Sequence, residues 1–369
     1  MTEVLVVGAG PVGLALAADL RTRGVAVEVV ERRADPGAGT RAIGIHSPAL
    51  ELLEASGATE GIRQRAVRIS RGEARADGRL LAGIRFDRLR ARHPYVAALP
   101  QSDTIEVLTA LAPPVRRGAG VVTLSQEGDG VRAQLDDGDE IRAGVVVVAT
   151  GWSGRDLVYR PGAVRTHHYP DTYVMADVVA SGGPVARVHL EREGVVESFP
   201  LPGGRRRLVA WAGRGEVTDA DGFLRDAVAA RTGTALEITG ASTFGVRRAV
   251  APALRRGRVV VVGDAAHEVS PIGGQGMNLG LLDALTLAPL LEPWVRRGDD
   301  TDLARWERDR LASARHAARL AFLNTLLGRA AGAPAHAART AALRTVLRGP
   351  GGAVFTRAYA MRFDQAARG

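Results

Sequence analysis

Three glycines near the beginning of the chain, Gly8, Gly10 and Gly13, stand in the pattern G-x-G-x-x-G. Between a strand and a helix, the first glycine permits a tight turn, the second lets the backbone approach a pyrophosphate, and the third allows close helix–strand packing. The N-terminus of the helix presents N–H groups and the positive end of its dipole to phosphates. Glu31 follows about 20 residues later, where a carboxylate can accept a hydrogen bond from a ribose hydroxyl. The spacing predicts a dinucleotide site.

A second loop, GDAAHEVSPIGGQGMNLG, runs from Gly263 to Gly280 after the apolar stretch RVVVV. An acid at the carboxyl end of a buried strand can bind sugar hydroxyls, and we predict this role for Asp264. The run SPIGGQGMN then offers consecutive backbone N–H groups at a helix N-terminus, which stabilise negative charge. FAD, with a pyrophosphate at one end and an electron-accepting, anion-forming ring at the other, fits both loops.

The flanking residues predict the elements that position these loops. Residues 4–7 form a continuous apolar run, as expected of a strand buried on both faces, and a helix and a second strand follow. Residues 120–151 read as a β-meander that ends in a buried strand. Between about 160 and 248 polar and apolar residues alternate, which is typical of antiparallel strands.

The sequence therefore predicts an α/β fold. A Rossmann-type FAD-binding domain carries an inserted, mostly antiparallel β substrate domain and a C-terminal helical tail. The predicted division is a first part of the FAD-binding domain at 1–160 (with some substrate-domain elements near 65–100), the substrate-binding sheet at 161–250, the return of the FAD-binding domain at 251–295, and C-terminal helices at 296–369.

Composition excludes several kinds of chemistry. The sequence has neither cysteine nor lysine, which excludes disulfides, thiolate metal sites and Schiff-base chemistry. Its formal net charge is +9, but the arginines are dispersed and aromatic residues make up only 4%, so we predict no nucleic-acid partner. No apolar run reaches about 18 residues, so we predict no integral membrane segment. We expect no leader before the first strand, and we expect a cytoplasmic protein.

The motifs stand in the order of a known family. The segments GAGPVGLALAADLRTRGVAVEVVERR, TRAIGIHSPALELLEASG, LPQSDTIEVL and GRVVVVGDAAHEVSPIGGQGMNLGLLDALTLAPLL are the ones that carry the likeness. Over essentially the whole chain, the sequence resembles FAD-dependent aromatic hydroxylases of the p-hydroxybenzoate hydroxylase type, which include the ubiquinone-biosynthesis hydroxylases. We expect no further thioredoxin-like domain, as in the shorter members that the sequence resembles.

The resemblance implies further FAD-binding residues. Arg41 would approach the pyrophosphate, Gln101 the ribityl chain, and Pro271 the isoalloxazine ring. The predicted cofactor-binding set is Gly8, Gly10, Pro11, Val12, Gly13, Glu31, Arg32, Arg41, Gln101, Asp264, Pro271, Gly274, Gly276, Met277 and Asn278.

The resemblance also implies a reaction. NADPH or NADH reduces FAD, O₂ forms a flavin C4a-hydroperoxide, and an OH group passes to an aromatic or polyketide-type small molecule. The Arg/Ala-rich composition indicates a high-GC bacterial genome and secondary metabolism such as antibiotic biosynthesis. Three alternatives stay open: an FAD-dependent oxidase or dehydrogenase, a Baeyer–Villiger monooxygenase, and a non-catalytic FAD-binding protein.

One departure from the family pattern concerns the electron donor. The family usually carries Asp-Gly after the meander, followed by Ser and then Arg, and the Asp is tied to the handling of FAD and NAD(P)H. Here the stretch is VVVVATGWSGRDL, so Thr150-Gly151 replaces Asp-Gly, and Gly154 stands at the Ser position. We consider Arg155 as a compensating residue and a separate flavin reductase as an alternative partner.

The remaining candidates concern catalysis and substrate. Pro271, His267 and His46 are the predicted catalytic residues, with structural roles as the alternative for both histidines. The predicted substrate-facing residues, with ordinary core as the alternative, are His189, Phe199 and Trp211. We predict no metal site.

Overall fold

The computed structural model describes residues 2–35, 42–272, 274–348 and 351–361. In chain order, its strands are β1 (Thr2–Val7), β2 (Val27–Glu31), β3 (Gly44–Ile45), β4 (Val67–Ile69), β5 (Arg71–Ala76), β6 (Arg79–Arg85), β7 (Val96–Ala98), β8 (Val115–Arg117), β9 (Val121–Glu127), β10 (Gly130–Leu135), β11 (Glu140–Val148), β12 (Thr166–Val179), β13 (Val185–Glu191), β14 (Gly194–Leu201), β15 (Arg205–Arg214), β16 (Ser242–Val250), β17 (Arg255–Arg256), β18 (Val259–Val261) and β19 (His267–Glu268).

The α-helices are α1 (Pro11–Thr22), α2 (Ser47–Leu53), α3 (Ala58–Arg65), α4 (Gln101–Leu111), α5 (Ala220–Thr232), α6 (Gly276–Arg297), α7 (Leu303–Leu327), α8 (Ala333–Arg348) and α9 (Gly351–Tyr359). Short 3₁₀ turns lie at Glu54–Ser56, Phe86–Arg88, Trp152–Leu157 and Gly263–Ala265. Within the described part of the chain, no helix is both long and apolar enough to cross a membrane.

The first sheet has a parallel centre. Its strand order is β17-β18-β11-β1-β2-β8, and β11 also pairs with β10, which pairs with β9. β1 lies parallel to both β2 and β11, and the side chains of Val4, Leu5 and Val6 are fully buried. Such burial on both faces explains the uninterrupted apolar run in β1. The predicted α/β class and the predicted meander, β9 to β11, are confirmed.

The second sheet is mostly antiparallel. Its order is β19-β16-β12-β15-β14-β13-β5-β6, and β13 and β5 form its parallel pair. It therefore draws β5 and β6 from the early part of the chain. Helix α5 lies on one face of this sheet, where Val174, Val196 and Ala210 are buried with the apolar residues of the helix.

Helix α5 was not predicted, because the sequence around it was interpreted by strand alternation alone. Its boundaries are nonetheless encoded locally. The carboxylate of Asp219 accepts a hydrogen bond from the N–H of Gly222 at the N-terminus, and Gly233 ends the helix in the left-handed region, with φ of 72°.

Helix α6 follows the second glycine-rich loop, and α7 packs on α6. Asp283 of α6 joins these helices to the loop, since its carboxylate bonds both His267 (2.5 Å) and Arg310 of α7 (2.7 Å). Helices α8 and α9 pack on each other and on β6, so the C-terminal helices return to the second sheet.

Candidate functional site

The glycine fingerprint occupies the turn between β1 and α1. A Cβ atom at Gly8 would lie 2.5 Å from the carbonyl oxygen of Ala149, and one at Gly13 would lie 2.0 Å from that of Gly8. Both positions therefore require glycine for close packing, which was predicted for the third residue of the pattern, whereas the first was predicted to permit a tight turn. At Gly10, in contrast, no described atom lies within 4 Å of the Cβ position. The second glycine faces open space at the start of the helix.

The N-terminus of α1 carries no side-chain cap. Its first i to i−4 hydrogen bond is donated by the N–H of Leu14 to the carbonyl of Gly10, so the N–H groups of Val12 and Gly13 precede the internal ladder. Pro11 begins the helix without a donor of its own. An anionic group in the space before Gly10 would meet these donors.

Glu31 lies at the end of β2 beside this turn. Its carboxylate accepts hydrogen bonds from the N–H groups of Ala9 (3.0 Å) and Arg33 (3.0 Å). Burial acts to raise its pKa, but these bonds and the Arg33 guanidinium outweigh burial and hold the pKa below its ordinary value. A charged carboxylate therefore stands near the fingerprint, and the neighbouring Arg32 bonds Ser153 across the cavity (3.0 Å).

The second loop turns sharply at Gly263, where φ is 66°. A Cβ atom at Gly280 of α6 would lie 2.9 Å from the Cα atom of Gly263, so the loop and the helix are in close contact. The side chain of Asp264 is exposed on this turn and lines the cavity described below. Farther along, the N–H of Gly274 donates to the carbonyl of Pro271 (2.9 Å) and closes a turn before α6.

Helix α6 offers a second set of N-terminal donors. The N–H of Leu279 bonds the carbonyl of Gln275, and the N–H groups of Gly276, Met277 and Asn278 precede that bond. The Asn278 side chain is fully buried and structural, because it accepts from the N–H of His46 (2.8 Å) and donates to the carbonyl of Gly44 (2.7 Å). Its side chain thus fixes β3 against the helix.

Gln101 begins helix α4, and its Oε1 accepts a hydrogen bond from the N–H of Ala42 (3.4 Å). Its side chain lines the same cavity. Arg41, which was predicted to approach the pyrophosphate, lies outside the described residues, as does Gly273 of the second loop.

One cavity of about 900 Å³ connects these parts. It extends from the fingerprint, between the loops, to one face of the second sheet. Cavities that bind small molecules and cofactors typically have volumes of about 300–1,000 Å³. The predicted site residues that line it are Gly8, Gly10, Pro11, Val12, Glu31, Arg32, His46, Gln101, Phe199, Asp264, Pro271, Gly274, Gly276 and Met277. Gly13 and Asn278 are buried behind this lining.

The lining fits FAD. Open space before Gly10, at one helix N-terminus, suits a pyrophosphate, and the second helix N-terminus suits a ring that becomes negatively charged when reduced. The two anion-stabilising positions belong to one cavity. No group of at least three His, Cys, Asp or Glu side chains that could hold a metal ion occurs among the described residues.

The second sheet forms the far wall through alternate residues of neighbouring strands. Val188 on β13, Glu197 on β14 and Val209 on β15 are in register and all line the cavity. Phe199 lies on the same face, as predicted, opposite Arg207 of β15. The wall is mainly apolar and carries a small number of charged groups.

The other two predicted substrate residues do not line the cavity. His189 pairs with Val196, which is buried on the α5 side, so His189 lies on the opposite face of the sheet. Its pKa is lowered to about 4, mainly by burial. Trp211 lies beyond the described lining, where its Nε1 donates to Asp171 (2.9 Å). Period-two alternation did not reveal which face meets the cavity.

The two histidines predicted to act in catalysis occupy different surroundings. His46 lines the cavity, and its buried Nδ1 has no hydrogen-bond partner among the described residues. Burial lowers its pKa to about 4, so its ring is neutral at pH 7. His267 is fully buried against Asp283 and is absent from the described lining. The expected catalytic role of His267 as an acid or base does not fit this position, whereas the alternative, structural role does.

Thr150, which stands where the family usually has Asp, is in steric contact with the position of Gly154, which stands where the family usually has Ser. A Cβ atom at Gly154 would lie 2.0 Å from Oγ1 of Thr150, so a side chain at 154 conflicts with the present Thr150. The two differences from the family pattern are therefore coupled. Arg155 donates to the carbonyl of Asp264 (2.7 Å) and pairs with Glu268 (2.9 Å), and it does not line the cavity. Arg155 holds the second loop and places no charge in the cavity at the position of the missing acid.

Sequence reasoning missed Glu197. Its side chain is only 4% exposed, lines the cavity, and has no hydrogen-bond or ion-pair partner among the described residues. Burial raises its pKa to about 8. The signal was an acid in the strand GVVESFPL at the same alternating positions as Val195 and Phe199.

Comparisons with known proteins agree with this site. The sequence model of the family described as FAD binding domain matches residues 1–181 and 211–321. The chain is 34% identical to rifampicin monooxygenase of Streptomyces venezuelae, over 81% of this chain and 66% of that protein. It is 32% identical to 12-dehydrotetracycline 5-monooxygenase/anhydrotetracycline 6-monooxygenase of Streptomyces rimosus, over 77% of this chain and 61% of that protein. The chain thus spans less than two thirds of these relatives.

Solved structures share the fold. p-Nitrophenol 4-monooxygenase from Pseudomonas putida superposes with a TM-score of 0.87 at 23% identity, covering 100% of this chain and 98% of that one. Anhydrotetracycline hydroxylase from Streptomyces rimosus gives 0.78 at 26% identity, covering 98% of this chain and 76% of that one. The chain belongs to the FAD binding domain family, which confirms the resemblance drawn from its motifs and makes FAD the cofactor of this fold.

Proposed function

We propose that the protein is an FAD-dependent monooxygenase that hydroxylates an aromatic or polyketide-type small molecule with O₂ and NADPH or NADH. One observation carries the proposal: a single cavity joins the fingerprint to the apolar wall of the second sheet. A redox cofactor and an apolar substrate can therefore share one compartment. The named relatives act on rifampicin and tetracycline-type compounds, which supports the same class of reaction here.

When bound, FAD would supply the electron transfer and oxygen activation that amino-acid side chains lack. The chain would bind and orient it. The N–H groups of Val12 and Gly13 would face the pyrophosphate, Asp264 the ribityl hydroxyls, and the N-terminus of α6 the negative charge of the reduced ring. Pro271 would lie against the ring, as the resemblance implies.

The substrate would lie on the second sheet. Its wall is lined by side chains that exclude water and suit a large, flat, apolar molecule, namely Met175, Val188, Leu190, Val195, Val209 and Phe244. Leu343 and Leu347 of α8 extend this surface from the C-terminal helices. Exclusion of water protects reactive species formed during oxygen activation from side reactions.

The residue at position 150 bears on the choice of electron donor. Thr150 carries no charge where the family usually has an acid, and Arg155 is directed toward the second loop. We propose NADPH or NADH as the direct donor, with a separate flavin reductase as the alternative. Because NADPH and NADH are intracellular, either donor implies a cytoplasmic reaction.

The test is the anaerobic visible spectrum of the FAD-loaded protein after addition of NADH or NADPH, followed by oxygen consumption with hydroxylated aromatic and polyketide compounds. Bleaching of the flavin and oxygen uptake coupled to product formation would support a self-sufficient monooxygenase. Bleaching with hydrogen peroxide as the sole product would indicate an oxidase. A flavin that reacts only with a reductase present would assign the alternative donor, and failure to bind FAD would refute the proposal.

A further inference from the structure

The Glu197 carboxyl is a titratable group of the cavity wall that the proposed function does not use. It lies on β14 between Val195 and Phe199 of the same face, with Val188 and Val209 on the neighbouring strands. The side chain is 4% exposed, and no described residue hydrogen-bonds or ion-pairs with it. Burial of a carboxyl without a partner is costly, so its retention here requires a reason.

Other buried carboxylates show what a structural role looks like in this protein. Asp171 accepts from Trp211 (2.9 Å) and Arg329 (2.6 Å), and Asp283 bonds His267 and Arg310. Each is satisfied by protein donors. Glu197 differs because its side chain faces the cavity instead of a donor. The carboxyl of Glu197 is therefore open to a hydrogen-bond donor carried by a molecule in the cavity.

The charged and titratable groups around Glu197 bond to other residues, or burial raises their pKa so that they stay neutral. Arg207 directs its Nε and Nη2 to the two carboxylate oxygens of Asp177 (2.6 and 2.7 Å). Tyr359 of α9 hydrogen-bonds Asn324, and its pKa is raised by burial and then by the charge of Glu197. The pKa of Tyr173 is raised by burial first, with Asp171 and Glu197 adding to the effect.

We infer that Glu197 receives a phenolic hydroxyl of the substrate, first as hydrogen-bond acceptor and then as the base that takes its proton. This inference rests on the proposed function. The O–H bond of the phenol breaks, its electron pair stays on the oxygen and enriches the ring, and the proton passes to a Glu197 oxygen. No oxidant or reductant is needed for this step.

The pKa values of Glu197 and of a phenol support the assignment of Glu197 as the base. Burial raises the pKa of Glu197 to about 8, and an ordinary phenol has a pKa of about 10, so the transfer is closer to balance than with an exposed glutamate. An ammonium group is a weaker match, because the wall around Glu197 is apolar and would remove the water that stabilises a cation.

The test is equilibrium binding of 2-naphthol to the FAD-loaded protein without an electron donor, read by the flavin absorbance and the naphthol fluorescence. Because no turnover occurs, the result is independent of whether hydroxylation takes place. We expect naphthol affinity to increase as pH rises from 6 to 8, by up to about fifty-fold, because the acceptor form of Glu197 becomes populated. The methyl ether, 2-methoxynaphthalene, should bind weakly and show no such dependence.

Two variants and a matched control complete the test. Glu197→Gln keeps the shape but cannot take the proton, so the pH dependence and the naphtholate emission should disappear. Glu197→Leu should lose naphthol selectivity while retaining FAD. Glu193→Gln removes an exposed carboxylate from the turn of the same hairpin and should match wild type.

Three results would overturn the inference. Glu197→Gln could bind naphthol with the wild-type pH profile, the methyl ether could bind as tightly as naphthol, or the alkylammonium 2-naphthylmethylammonium could bind wild type more tightly than naphthol does. The first two would remove Glu197 from hydroxyl recognition, and the third would assign it to a cation.

Discussion

Gly10 and Gly13 have different surroundings, so a side chain at each position should change a different property. At Gly10 it should lower the affinity for FAD, and at Gly13 it should lower the stability of the fold. A side chain at Gly10 enters open space, whereas one at Gly13 meets the Gly8 carbonyl at 2.0 Å. We expect Gly10→Val to weaken FAD binding at least ten-fold, about 1.4 kcal/mol, with little change in the stability of the FAD-free protein. Gly13→Ala should instead destabilise that protein by about 1–3 kcal/mol. FAD titration and thermal unfolding of both variants check this.

The reverse result, loss of stability at Gly10 and loss of FAD affinity alone at Gly13, would contradict the assigned geometry.

At the scale of residues, the sequence predicted the roles of the glycines in the first loop, because the G-x-G-x-x-G pattern encodes a local turn. It did not predict Glu197 or the true positions of His189 and Trp211. Those depend on which face of β13, β14 and β15 meets the cavity, and that is set by strand register across the whole sheet.

At the scale of elements, Asp283 connects α6, α7 and the second loop through one buried carboxylate. Burial acts to raise its pKa, but attraction and hydrogen bonds from His267 and Arg310 outweigh burial and keep it below the ordinary value. Asp283→Asn removes a buried carboxylate charge that pairs with Arg310 and bonds His267, and it should destabilise the protein by about 3–5 kcal/mol. Urea unfolding measures the difference.

The control is Asp309→Asn, which removes the half-buried partner of the exposed Arg305 within α7 and should change stability by at most about 1 kcal/mol. Equal effects of the two variants would refute the structural role of the Asp283 cluster.

The same cluster predicts a pH dependence. Because the folded pKa of Asp283 is depressed, its contribution to stability is fully present above the unfolded value, 3.8, and is lost as pH falls through the folded pKa. Unfolding free energies of wild type should therefore decline more steeply below pH 4 than those of Asp283→Asn. Parallel curves would show that another carboxylate dominates acid unfolding.

Elements with strong local signals were predictable and others were not. The continuous apolar runs of β1 and β11 identified the parallel centre, and turn residues identified the meander from β9 to β11. Helix α5 was not predicted, because the alternation of polar and apolar residues in the surrounding sequence led to a prediction of strands. Asp219 and Gly233 nevertheless mark the ends of this helix. The predicted division into domains stays a prediction.

At the scale of the whole molecule, the second sheet collects strands that are far apart in sequence. β5 and β6 precede the meander in the sequence. Nevertheless, β5 pairs with β13 and extends the wall that faces the two glycine-rich loops. The C-terminal helices close the cavity from the other side through Leu327, Leu343 and Tyr359. No local pattern encodes this enclosure, so the cavity itself could not be derived from sequence.

The most direct test of oxygen insertion is a single turnover that avoids the question of the electron donor. The FAD-loaded protein is reduced chemically without oxygen, mixed with a hydroxylated aromatic or polyketide substrate that it binds, and exposed to ¹⁸O₂. We expect one ¹⁸O atom in a new hydroxyl group of the product, and less product with Glu197→Gln than with Glu193→Gln. Quantitative reoxidation of the flavin with bound substrate, but without ¹⁸O in any product, would contradict the proposed monooxygenase.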